Sequence, residues 1–416
     1  MGTTVARPIP TVRPAARPVP RRAGFWILAA ALFALMAAAG APSPLYVLYQ
    51  QQWHFSAPML TLVFAVYALA LLAALLTVGA LSGYVGRRPV LVAALGGEIA
   101  AMAVFLSAHG VGALLVARIL QGLATGAATG AVSAALVDLQ PAPGSRLGAV
   151  INSVAPTAGL AAGALGAGAL AEYAPSPTVL VFALLLVVFV ALVAAIALVP
   201  ETVTRRPGAL ASLRPRMSVP AEARSAFRAA TPAMIATWAT GGLFLSLGGS
   251  LAAGVLHIGN HLVGGLTVTV LTGAGALASL PGGRRPARAV MAVGAFTLAT
   301  GAALTMVALT TRSTGLFFLA AVIAGAGFGS TFSAAFRSLA PLAGPDRRAE
   351  LFASVYTVSY LAFSLPAVAA GLLVPHLGLR TVADGYGVGV VLLALAAGAL
   401  ALRRRHPAAA GADARP

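Results

Sequence analysis

The sequence predicts an all-α membrane protein with twelve transmembrane helices in two pseudo-symmetric six-helix bundles. Three observations predict it. Composition comes first: 59% of residues are hydrophobic and 9% charged, whereas soluble domains carry roughly 25% charged residues. Twelve crossings of roughly 20 residues use about 240 residues, which a chain of 416 residues supplies with short loops and no large soluble domain. Second, arginine alternates along the chain. Arg7, Arg13, Arg17, Arg21 and Arg22 precede the first apolar run, Arg87 and Arg88 follow the second, and Arg146 follows the fourth. Arg205, Arg206, Arg214, Arg216, Arg224 and Arg228 follow the sixth; then come Arg284, Arg285 and Arg288, Arg347 and Arg348, and finally Arg403, Arg404 and Arg405. The segments between these clusters carry almost none. That is the positive-inside pattern, and it puts both termini in the cytoplasm.

Third, the two halves repeat. GALSGYVGRRP (79–89) after the second helix is answered by ALASLPGGRRP (276–286) after the eighth, and SAALVDLQP (133–141) after the fourth by SAAFRSLAP (333–341) after the tenth, at offsets of 197 and 200 residues. The repeat implies two bundles related by an axis along the membrane normal, with a central cavity between them.

Hydropathy places helices near 24–49, 58–83, 89–108, 111–138, 146–172 and 177–199, then 230–256, 262–281, 288–310, 314–340, 349–374 and 380–402. The expected organisation is a disordered Arg- and Pro-rich cytoplasmic arm over 1–22, an N-terminal bundle over 23–199, a central cytoplasmic loop over 200–229, a C-terminal bundle over 230–402 and a tail over 403–416. The arm has too little apolar surface to fold. Arg21 and Arg22 before the run from Gly24 to Gly40 imitate an export signal. The apolar character resumes through Pro44, Leu45, Tyr46 and Val47, so the run reads as an uncleaved first helix.

A net charge of +18 would normally raise nucleic acid as a partner. Here it is spread over thin loops, and the expected neighbours are anionic lipid headgroups of the bilayer. All 27 basic residues are arginine, which with the heavy use of Ala, Gly and Pro points to a GC-rich bacterial gene and an inner membrane. Cysteine is absent, which excludes disulfides and thiol chemistry. His257 and His261 are four apart with no carboxylate nearby, so no metal site is expected; His54, His109 and His376 sit near external ends and His406 in the tail. No phosphate-binding loop and no enzyme signature is present, so no cofactor and no direct use of ATP are expected.

Ionisable groups at membrane depth are few. Arg118 lies about two turns into the fourth helix, where a central arginine costs roughly 2.5–3.5 kcal/mol on insertion scales. It should face a cavity or partner, or else snorkel to the outer surface. Glu98 lies near the middle of the third helix. Exposed alternately to water on either side it could carry a proton; otherwise it is a carboxyl hydrogen-bonded to a neighbouring helix. Glu201, Glu222, Asp346 and Glu350 read as cytoplasmic loop pairs. Gly159, Gly163, Gly166 and Gly168 give the fifth helix a small-residue surface that lets backbones approach. Pro42, Pro44, Pro156, Pro232 and Pro366 can bend helices and free carbonyls. Candidate cavity groups are Tyr46, Gln121, Asn152, Thr157, Trp238, Ser246, Tyr356, Ser359 and Tyr360. So few charges and so many aromatics suit an amphipathic or weakly charged organic molecule.

The run Gly79, Ala80, Leu81, Ser82, Gly83, Tyr84, Val85, Gly86, Arg87, Arg88, Pro89 resembles the signature loop between helices two and three of the major facilitator superfamily. Arg118, Gln121 and Gly122 resemble its RxxQG motif, and Pro200, Glu201 and Thr202 its PET ending. The stretches 42–49 and 60–67 resemble bacterial drug-efflux-like members. The resemblance implies alternating access by rocking of two halves, with Arg118 a candidate for proton coupling or anion contact. It also implies that Asp138 pairs with Arg87; the alternative is that Arg87 and Arg88 only anchor topology at the headgroups. The family's glycine-rich antiporter motif is matched incompletely, since Gly163-Ala164 stands where Gly-Pro is usual. Gly83 replaces the loop's usual aspartate and Tyr84 its basic residue. In the family that aspartate is thought to lock the outward-facing state against a helix N-terminus of the other half. The resulting expectation is a monomeric secondary transporter for proton-coupled efflux of small organic compounds. A metabolite facilitator or importer, or a transporter-like sensor without turnover, remain the alternatives.

Overall fold

The computed structural model describes residues 19–142, 144–280, 285–344 and 347–403. Most of the expected arm and tail, with Arg284, Asp346 and His406, lies outside them.

Twelve helices are long and apolar enough to cross a membrane: α1 (Arg21–Trp53), α2 (Ala57–Val78), α3 (Arg87–Leu106), α4 (Val111–Asp138), α5 (Leu147–Tyr173), α6 (Pro177–Ala197), α7 (Ala221–Gly254), α8 (His261–Ser279), α9 (Ala287–Thr311), α10 (Thr314–Leu339), α11 (Arg348–Leu377) and α12 (Leu379–Arg403). Helices start where hydrogen-bond chemistry permits. Pro58 and Pro177 occupy first-turn positions whose N–H would be unsatisfied anyway. Asn260 and Ser313 cap α8 and α10 through their side chains.

Several boundaries differ from the hydropathy reading, and two helix starts cross an expected segment limit. Helix α1 begins at Arg21, inside the expected arm. Helix α7 begins at Ala221, inside the expected loop, because Pro220 ends the extended chain and Glu222 favours a first turn. Ala223 and Ala230 of this early segment are buried against Met291, Leu339 and Leu351. Polar residues on its other face hid the helix from an apolar count.

Packing shows the repeat in three dimensions. In the N-terminal half α2 and α3 pack on α4, α3 on α6 and α1 on α5; in the C-terminal half α8 and α9 pack on α10, α9 on α12 and α7 on α11. The halves meet through α2 against α11 and α5 against α8, two pairings exchanged by a six-helix shift.

These cross-half contacts concentrate toward the Arg-poor end. Ser43 donates to the Leu245 carbonyl at 2.6 Å, Thr269 to the Ala161 carbonyl at 3.0 Å, and the His261 N–H to the Glu172 carboxylate at 2.8 Å. Gly371 closes on Thr61, and Gly265 on Ala164 and Gly168, with no room for a side chain. The contacts continue to mid-membrane, where Phe64 and Phe363 lie 4.8 Å apart. Beyond that they thin. On α8, Gly265, Thr269 and Gly273 all approach α5, yet Leu277 one turn further is 70% exposed. In α5, residues 147–158 bury only Gly148, whereas the other half of the helix buries Gly159, Ala164, Ala167 and Gly168.

Candidate functional site

The N-terminal half holds a buried polar cluster that begins with a proline. Pro42 has no N–H to give the Ala38 carbonyl one turn earlier. That carbonyl accepts instead from Gln121 Nε2 at 2.8 Å. Gln121 Oε1 in turn accepts from Arg118 Nη1 at 2.6 Å. Gly122 and Gly126 bring the α4 backbone against the Tyr67 and Leu71 carbonyls of α2. This close approach sets the Arg118 guanidinium 4.0 Å above the centre of the Tyr67 ring. A desolvated contact of this kind is worth about 2 kcal/mol. Arg118 is 1% exposed, so it does not snorkel to a surface. Its Nε has no hydrogen-bond partner.

Glu98 is completely buried on α3. One carboxylate oxygen accepts from Thr125 at 2.6 Å and the other has no partner. Among the described residues no ion pair joins Glu98 to Arg118, and each is held by a neutral group of α4. Tyr46, just past the α1 prolines, is buried and in electrostatic range of Arg118.

The C-terminal half presents rings instead. Trp238 of α7 meets Tyr360 at 4.8 Å, Phe332 at 5.4 Å and Phe363 at 5.5 Å. Tyr356 continues the series from Tyr360 at 6.3 Å to Phe336 at 6.4 Å, and Phe336 stacks on Phe352 at 4.6 Å. Ser359 is fully buried and, like the Trp238 indole N–H, has no hydrogen-bond partner. Tyr360 packs on Tyr67 and Leu71 of the other half, so wall and polar cluster adjoin.

The remaining expected groups are dispersed. Asn152 donates to the Ser133 carbonyl at 3.1 Å and is half-buried. Thr157 and Ser246 bond to carbonyls of their own helices. Gly159 and Gly163 close on Phe33, Met36 and Ala37 of α1, and Gly168 on α8, but Gly166 faces open space and, against expectation, packs on no other helix. The sequence reading missed Tyr67, Thr125, Phe332, Phe336, Phe352, Phe363 and Glu172. For Glu172 a signal existed: it follows Gly168 by one helical turn at the Arg-poor end of an otherwise apolar helix.

The loop between α2 and α3 forms its own network. Gly86 has a φ of 110°, which a side chain rarely adopts. Glu201 accepts from the backbone N–H groups of Arg87 at 2.9 Å and Arg88 at 3.0 Å, capping α3. Asp138 pairs with Arg87 at 3.4 Å and accepts from Thr202 at 2.9 Å. Gly79 packs within its own turn, and at Gly83 the carbonyl accepts from Arg206 Nε at 3.0 Å. The Arg206 guanidinium lies 4.6 Å from the centre of the Tyr84 ring. Gly83 and Tyr84 stand where the resemblance expected an aspartate and a basic residue, and Arg206 contacts both.

No curated protein matches the chain significantly. Among solved structures, the human organic anion transporter MFSD10 (TETRAN) superposes with a TM-score of 0.61 at 18% identity, over 91% of this chain and 100% of that one. A variant of the nucleoside transporter NupG superposes with a TM-score of 0.68 at 13% identity, over 92% and 100%. Identities this low speak of fold alone. The residues themselves carry the closer relationship: 28–285, which hold the loop network, the Arg118–Gln121 pair and the Glu201 cap, match the family described as Major Facilitator Superfamily, and the chain belongs to that superfamily.

Proposed function

We propose that this membrane transporter is a proton-coupled exporter of small organic compounds, working in a bacterial inner membrane as a monomer with both termini in the cytoplasm. The observation that carries the proposal is Glu98: a fully buried carboxylate, bonded on one oxygen to Thr125 and unpartnered on the other. It shares α4 as its support with Arg118, the other buried ionisable group described above. A carboxyl group so placed can take a proton from one side of the membrane and release it to the other as the halves rock. Arg118 and Gln121 tie that helix to the α1 break, so a change of charge is felt across several helices of the half.

The arginine bias supports a cytoplasmic Arg-rich end. With that orientation the cross-half contacts are dense outside and sparse inside, the arrangement that admits cargo from the cytoplasm. The domains follow: two bundles joined by a central segment, with arm and tail on the cytoplasmic side. The test is uptake into proteoliposomes under an imposed pH gradient. Accumulation abolished by a protonophore is the expected result; equilibration unaffected by the gradient would leave a facilitator.

A further inference from the structure

We infer that the aromatic wall of the C-terminal half is a binding site for uncharged planar aromatic compounds bearing a hydrogen-bond acceptor. The inference rests on the transport reading in taking the parted face between the halves as the cargo's place. Three observations converge on this chemistry. Trp238, Phe332, Tyr360 and Phe363 set ring faces and edges together at centroid separations of 4.8–5.5 Å about the indole. Such surfaces take another ring in offset or edge-on contact.

Two donors there lack partners. The Trp238 N–H and the Ser359 hydroxyl are buried and unbonded. Ser359 is the more telling. Other helix serines bond back to the carbonyl one turn earlier, as Ser246, Ser354 and Ser364 do. Ser359 does not, and it lies at three- and four-residue spacing from Tyr356 and Phe363, on their face of α11. A buried polar group left unbonded is expensive, and an acceptor on the ligand supplies a partner.

Charge selects against cations. Among the described residues of this half, the carboxylates Glu222, Glu350 and Asp384 sit toward helix ends. Of the two buried ionisable groups of the other half, Arg118 lies over Tyr67, which packs on Tyr360, while Glu98 is held on Thr125. Rings alone would welcome a cation; a guanidinium behind them opposes it.

The experiment measures saturable binding of radiolabelled probes to the purified full chain without a gradient. Coumarin has the ring and the carbonyl, 2-decalone the carbonyl without the aromatic ring, and tetraphenylphosphonium rings with a fixed positive charge. Coumarin should bind about tenfold or more tighter than either. Trp238→Phe keeps a ring and loses the donor, and Ser359→Ala loses the other; each should weaken coumarin about five- to tenfold, the scale of one hydrogen bond. Equal binding of 2-decalone, tighter binding of tetraphenylphosphonium, no saturable coumarin binding, or unchanged affinity in both variants would overturn the inference. The two readings separate in proteoliposomes. Gradient-driven accumulation of tetraphenylphosphonium with coumarin excluded keeps proton-coupled export and overturns the substrate class. Saturable coumarin binding without gradient-driven accumulation keeps the site and overturns the coupling.

Discussion

The two halves share a packing plan and differ in what they bury. The N-terminal half buries Arg118 on Gln121 and Glu98 on Thr125, and the C-terminal half gathers Trp238, Phe332, Tyr360 and Phe363. A duplicated scaffold has therefore been divided by chemistry. One half handles charge and the other offers apolar surface. The division makes physical sense in a membrane, where a buried charge needs dedicated partners while rings tolerate many ligands.

Arg118→Ala should break the comparison most severely. It strips Gln121 and the Tyr67 face of their partner, and a hydrogen bond to a charged group is worth about 1.5–3 kcal/mol, or up to about 150-fold. Flux in proteoliposomes should vanish at normal expression; normal flux would remove Arg118 from the mechanism. Glu98→Gln keeps an acceptor for Thr125 and loses ionisation. Gradient-driven accumulation should fall to simple equilibration while solute exchange without a gradient persists. An unchanged pH profile would make Glu98 structural and dissolve the division of labour.

Glu172→Gln sharpens the comparison at the Arg-poor end. A carboxylate on the first N–H groups of a helix contributes up to about 2 kcal/mol, so the variant should shift the balance between the closed and parted outer ends by up to about 30-fold. The chain has no cysteine, so spin labels on cysteines introduced near the outer ends of α5 and α8 report that distance cleanly; an unchanged distribution would show that glycine packing alone holds the seam. Gly83→Asp should have the smallest effect. A side chain there starts 3.8 Å from Arg206 and 4.0 Å from Arg87, but exposed pairs contribute about 0–1 kcal/mol. A large gain or loss of flux would mean that this loop controls the cycle.

Much of this was legible in the residues. Twelve apolar runs and the twofold repeat required only hydropathy and counting, and Arg118 stood out because arginine is costly at that depth. Partners were harder. Thr125 and Tyr67 are ordinary residues of apolar helices, and only the close approach at Gly122 and Gly126 turns them toward Glu98 and Arg118. Phe332, Phe336, Phe352 and Phe363 were invisible for a related reason: a phenylalanine facing lipid and one facing the other half look alike in composition. Helix α7 began early because its first turns are amphipathic, which an apolar count discards.

The segment joining the halves is fastened at both ends. Arg206 bonds to the Tyr84 carbonyl at 3.0 Å on one side, and Met217 accepts from Thr357 of α11 at 3.0 Å on the other. The residues between, 207–216, reach at most about 33–36 Å when fully drawn out. In the proposed rocking cycle they act as a leash between the halves. Its length caps the stroke of the machine, so trimming it would shorten how far the halves swing apart while every helix stayed intact.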